Sequence, residues 1–62
     1  MQIVRKVGMN AVAKLEPEER FEQKYKYGVI FNYDESKEYI GMDCVVVKET
    51  LNEAVSAAQA WC

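Results

Sequence analysis

Hydrophobic and polar residues alternate with period two along most of this chain. From position 3 to 15 the odd residues are Ile3, Arg5, Val7, Met9, Ala11, Ala13 and Leu15, all apolar except Arg5. The even residues are Val4, Lys6, Gly8, Asn10, Val12 and Lys14, mostly polar or glycine. Successive strand side chains point to opposite faces, so this pattern predicts a half-buried strand over about 2–15. Glu16-Pro17-Glu18-Glu19 interrupts it, because proline presets a turn and has no amide hydrogen for a ladder. The alternation resumes over about 20–33, with Phe21, Gln23, Tyr25, Tyr27, Val29, Phe31 and Tyr33 on one side. Glu22, Lys24, Lys26, Gly28, Ile30 and Asn32 fall on the other, and aromatic and β-branched residues again suit a strand. Asp34-Glu35-Ser36-Lys37 is a polar turn. A third strand over about 38–48 carries Ile40, Met42, Cys44 and Val46 on one face, and Tyr39, Gly41, Asp43, Val45 and Val47 on the other.

The period then changes. Thr50-Leu51-Asn52-Glu53 has the form of a capping box, which opens a helix over about 51–61. Its apolar stripe is Leu51, Ala54, Val55, Ala58 and then Trp61 or Cys62. The fold class expected is α+β: a three-stranded antiparallel β-meander with one C-terminal helix packed on one face, in the order β-β-β-α, as a single domain over 1–62. The turns suggest a register. Leu15 opposite Phe21 places Val7 opposite Val29 and Met9 opposite Tyr27; Tyr33 opposite Glu38 places Val29 opposite Met42 and Tyr27 opposite Cys44. Both registers put the apolar sets on the same face. The helix then covers Val7, Val29, Phe31, Ile40 and Met42, and three of the four tyrosines, Tyr25, Tyr27 and Tyr33, share that covered face.

A single helix leaves the opposite face open. There Gly8 and Gly28 fall opposite each other, with Gly41 diagonally adjacent and Val12, Ile30, Tyr39, Val45 and Val47 around them. A patch free of side chains admits another backbone. These eight residues are the candidate partner or dimer interface. The first and third strands are edges, where a further strand can add.

Size strengthens the case for self-association. A chain of 62 residues builds one marginal core, and such domains often need a staple, a metal or a second copy of themselves. Half of the residues are hydrophobic, which favours a packed core over disorder. A net charge of −2 gives no general attraction to nucleic acid or to an anionic membrane. No apolar run approaches the roughly 20 residues that span a bilayer, and no apolar segment follows Arg5 and Lys6 as in a signal peptide. The compartment expected is the cytoplasm, that of a host if the chain is phage-encoded.

Candidate chemistry is sparse. With no histidine and only two cysteines far apart, neither a metal site nor another cofactor is expected. Cys44 and Cys62 both lie on the inward side, as two reduced thiols or as a disulfide pinning the helix end to the sheet. Ser36 and Ser56 have no base beside them, and Glu16, Glu18 and Glu19 form a solvated turn, so an enzyme is not expected. Lys6, Lys14, Lys24 and Lys26 share the open face and supply candidate phosphate contacts for an alternative reading, nucleic-acid binding.

The stretch Lys48-Glu49-Thr50-Leu51-Asn52-Glu53-Ala54-Val55, ending at Trp61, resembles the strand-to-helix joint of small phage-encoded host-takeover and anti-defence proteins. That resemblance implies a short, non-enzymatic protein that acts by occupying a host protein's surface. The sheet-then-helix order also resembles the plant ethylene-response-type DNA-binding domain and the arm-binding domain of tyrosine integrases. Those read a groove with the open sheet face; here that face lacks the arginines and tryptophan they use. The function expected is a protein-binding module, an inhibitor or regulator of a host protein, that self-associates as a homodimer.

Overall fold

A computed structural model describes residues 1–60. Four strands, not three, form one antiparallel sheet: β1 (Gln2–Val7), β2 (Asn10–Lys14), β3 (Tyr27–Ile30) and β4 (Val46–Lys48), in sheet order β1-β2-β3-β4. One helix, α1 (Leu51–Ala60), follows. The long first strand expected from the alternation is a hairpin. Val7 pairs with Asn10 across Gly8-Met9. Gly8 adopts φ 60, a left-handed conformation that glycine enters without a Cβ penalty. Glycine at the first central position fits a two-residue type II′ connection. Such a turn keeps apolar residues in alternation on both sides, so the reversal leaves little trace in the pattern.

A bulge adds to the change of faces. Lys6 pairs with Ala11 and Arg5 with Val12, but Ile3 pairs with Ala13, leaving Val4 as the extra residue. Val7 and Ile3 therefore lie on opposite faces of the sheet. On one face Val7, Val12 and Val29 pack against Ala54, Val55 and Ala58 of α1, with Tyr27, Phe31, Val46 and Leu51 at the margin. The helical stripe is the expected one from Leu51 through Ala58; its expected end at Trp61 or Cys62 lies outside the described residues. Thr50 Oγ1 accepts the Glu53 amide at 3.2 Å and donates to the Glu53 carboxylate at 2.9 Å. The alanines let α1 sit close to the strands.

The second face is closed as well, which the alternation did not indicate. Ala11, Val12 and Ala13 are all fully buried, although neighbours in a strand face opposite ways. The segment 31–45 does not run as the third strand from residue 38. Its end comes back onto the sheet, with Cys44 against Gly28 and the Val45 amide donating to the Val29 carbonyl at 3.0 Å, and it reaches β4 only at Val46. Asp43 explains the break: its carboxylate accepts the Ile40 amide at 2.8 Å, and its own amide donates to the Ile40 carbonyl at 2.9 Å, closing a 3-10 turn over Gly41–Asp43. An aspartate that bonds nearby backbone competes with a ladder. Ile40 and Met42, expected under the helix, are 54% and 84% exposed.

The register shifts accordingly. Val29 pairs with Val12 and Val46, Gly28 with Ala13 and Val47, and Tyr27 with Lys14 and Lys48. Leu15 does not face Phe21; its amide donates to the Lys26 carbonyl at 2.8 Å. The expected second strand over 20–33 shortens to β3, because side chains hold the 20–26 segment as a loop. Arg20 Nε donates to the Leu15 carbonyl and Nη1 to the Gln23 carbonyl, both at 3.2 Å, while Gln23 Nε2 donates to the Pro17 carbonyl at 2.9 Å.

Candidate functional site

Three large apolar side chains stand exposed around one groove: Phe21 at 88%, Met42 at 84% and Val45 at 75%. Leu15, Cys44 and Val47 line the same groove, which has a volume of about 550 Å³. Its walls come from the loop after β2, the Gly41–Asp43 turn and β4. Arg20 Nε and Nη1 fold the loop, and Phe21 beside it stands largely in solvent. Gly41 brings the second wall into contact with the first. A Cβ there would lie 2.7 Å from Glu19 Cβ and 2.8 Å from its carbonyl oxygen, so only glycine permits this approach.

The polar groups of the groove are already committed. Glu19 accepts from the Met1 amine at 2.8 Å, with side chains 3% and 18% exposed. This bond is the main cause that raises the amine above its ordinary 8.0, and also the main cause that lowers Glu19 below 4.5. For the amine, the stabilisation is fully present below pH 8 and disappears as pH rises through the raised value. For Glu19 it is fully present above pH 4.5 and disappears as pH falls through the lowered value. Glu19→Gln should therefore lower the thermal midpoint most on the plateau between those two limits, and the gap from the unmutated chain should close toward alkaline pH. A gap that persists undiminished at about pH 10.5 would contradict the pairing.

Cys44 forms part of the groove lining and is half-buried, with Sγ 3.9 Å from Met1 Sδ. Burial, followed by the charges of Asp43 and Glu19, pushes its thiol up to about 11. A thiol held protonated at neutral pH is neither a nucleophile nor a thiolate ligand. The Cys44–Cys62 disulfide expected as one alternative involves Cys62, which lies outside the described residues, as does Trp61.

Next to the groove lies a second depression bounded by Phe21, Glu22, Tyr25, Val47, Glu49 and Glu53. Lys24 Nζ sits 5.0 Å from the Tyr25 ring centre, and Tyr25 first, then Glu22 and Glu49, raise its ammonium above the ordinary value.

The glycine face does not exist as the surface expected. Val12 and Ile30 are 0% and 2% exposed, and Gly28 is buried against Cys44. Gly8 is exposed at the hairpin turn, and Gly28 faces Ala13 rather than Gly8. Tyr39, expected outside, is half-buried against Tyr33 with ring centres 5.2 Å apart, and its hydroxyl accepts the Asp34 amide. Of the eight residues, the fold brings Gly41, Val45 and Val47 together in the groove. The lysines do not share a face. Lys6 pairs with Ala11 and Lys14 with Tyr27 and Gln2, which puts them on opposite sides of the sheet. Lys6 is also engaged with Glu35 at 3.0 Å. Lys24 and Lys26 belong to the loop before β3. The open edge of β1 is interrupted by the bulge at Val4 and carries Arg5 and Lys6, features that discourage strand addition.

No known relative was found. No family model matches the chain, and neither the curated proteins nor the solved structures contain a match. The groove must therefore be read from its own chemistry. Phe21 and Met42, its most exposed residues, went unrecognised because strand alternation assigned both to the covered face. Gly41 within the alternating run is the one local sign that the strand breaks beside Met42.

Proposed function

We propose that this chain is a small non-enzymatic protein-binding module that engages its partner through the apolar groove. The observation supporting this is the cluster of Phe21, Met42 and Val45, each at least three-quarters exposed, around a concave apolar floor. Contiguous exposed apolar surface of this kind on a small domain marks an interaction site. Covering the three side chains would contribute about 4–7 kcal/mol of transfer free energy before the cost of association. The protonated thiol and the committed carboxylate favour binding over catalysis at this site. Inhibition of a host protein by occupying its surface is the form of this reading that the Lys48–Val55 resemblance implies.

A photo-crosslinking residue at position 42 tests the proposal, with the same residue at Gln59 on the outer side of α1 as control. The expected result is a discrete protein adduct from position 42 and none from position 59. Excess unmodified chain should compete the adduct away, and Phe21→Asp chain should not. Equal labelling from both positions, or competition by Phe21→Asp, would rule out the groove.

A further inference from the structure

We infer that the occupant of the groove is a second copy of this chain. The two copies are related by a two-fold axis, so that Phe21 of each enters the other's groove against Met42, Val45 and Val47. This rests on the protein-binding reading above and names the partner. The first support is shape. A two-fold interface uses the same patch on both copies, so projection and recess must lie side by side on one surface. Phe21 is that projection, 88% exposed at the rim of the recess it would fill on its partner.

Charge supplies the second support. The groove and the adjoining depression are lined by Arg20 and Lys48 with Glu22, Glu49 and Glu53; Lys24 stands against Tyr25 at the same edge, and the charge of Glu19 is offset by the Met1 amine. A rim of one sign would repel its own copy and select an opposite partner. A balanced rim can pair acid with base when the surface meets itself.

Area sets the strength. A standard interface covers about 800 Å² per partner, roughly a fifth of the 4240 Å² surface of this chain. The groove and the depression together draw on roughly a quarter of the chain's residues, fewer than the 20–30 a side of a standard interface. The dimer therefore belongs at the small end of specific interfaces, with dissociation in the micromolar range.

Sedimentation equilibrium on the full chain, from about 1 to 200 µM, measures this directly. The expected result is a reversible rise from 7.2 kDa to twice that mass. Phe21→Asp and Val45→Asp should each weaken the dimer at least about 30-fold. Their circular dichroism should match the unmutated chain, since both side chains lie outside the core. Met9→Asp, at a 72% exposed position on the hairpin turn, should leave the dimer intact. A monomer at every concentration overturns the inference, and so does a dimer that Phe21→Asp leaves unchanged. The two readings fail separately. A strict monomer that still gives a position-42 adduct with a different protein loses the dimer and keeps the binding module, whereas no adduct of any mass loses both.

Discussion

Asn10→Ala should destabilise the chain by about 2–4 kcal/mol, read from chemical denaturation. Asn10 is the one buried polar side chain among the described residues, 3% exposed at the start of β2. Its Nδ2 donates to the Ala58 carbonyl at 2.9 Å, and its Oδ1 accepts the Asn32 amide at 3.2 Å. Both bonds tie separate elements together. Ala58 is fully buried against the sheet, so its bond fixes α1 to β2 out of reach of water. Asn32 adopts φ 53 just after β3, the one non-glycine residue with positive φ among the described residues. The alanine variant loses both bonds in a buried setting, where water does not readily replace them. A domain of this length has a total stability of about 3–9 kcal/mol, so the loss takes a large share. Asn10→Asp keeps the shape but presents a second carboxylate oxygen to the Ala58 carbonyl, and should cost at least as much at neutral pH. A loss below about 0.5 kcal/mol for Asn10→Ala would show that the helix end is held by other contacts.

What was legible in the sequence followed from local chemistry. The Thr50 cap, the Leu51-Ala54-Val55-Ala58 stripe, and the antiparallel sheet with its C-terminal helix were all readable from period and propensity. What was lost came from features that leave the period undisturbed. The Gly8-Met9 turn and the Val4 bulge each change which face a residue occupies, so the two errors compound along one strand. Arg20 and Gln23 bind backbone carbonyls several residues away, and nothing in an alternating run shows that a side chain will compete with the ladder. The same shifts moved the candidate site. Val12, Gly28 and Ile30 lie inward, Phe21 and Met42 lie outside, Val45 is exposed and Val47 half-buried, for a reason the register did not supply.

The segment leading into β4 closes the second face of the sheet, and this closure leaves the groove as the exposed apolar surface. Gly28 reports on it. A Cβ at this position would lie 2.6 Å from Cys44 Sγ and 2.7 Å from Cys44 Cβ. Rotation about the Cys44 side chain can move Sγ but not Cβ, so Gly28→Ala must displace the backbone around Cys44. Overpacking of that kind costs about 1–3 kcal/mol. Gly28→Ala should also disturb the groove, because Cys44 lines it and Val45 and Val47 flank it. Cys44→Ala removes Sγ alone and should relieve part of the strain; Cys44→Gly removes both atoms and should relieve most of it. If the face were open, as the alternation suggested, an alanine at 28 would meet only solvent and would be tolerated in any background.

The most direct test is a double-mutant cycle between Gly28→Ala and Cys44→Gly, measured by denaturant unfolding. A coupling of at least about 1 kcal/mol is expected, with Gly28→Ala costly in the unmutated chain and nearly neutral beside Gly at position 44. Additive effects, or a Gly28→Ala variant as stable as the unmutated chain, would mean that Cys44 does not cover Gly28. The binding surface would then return to the sheet face.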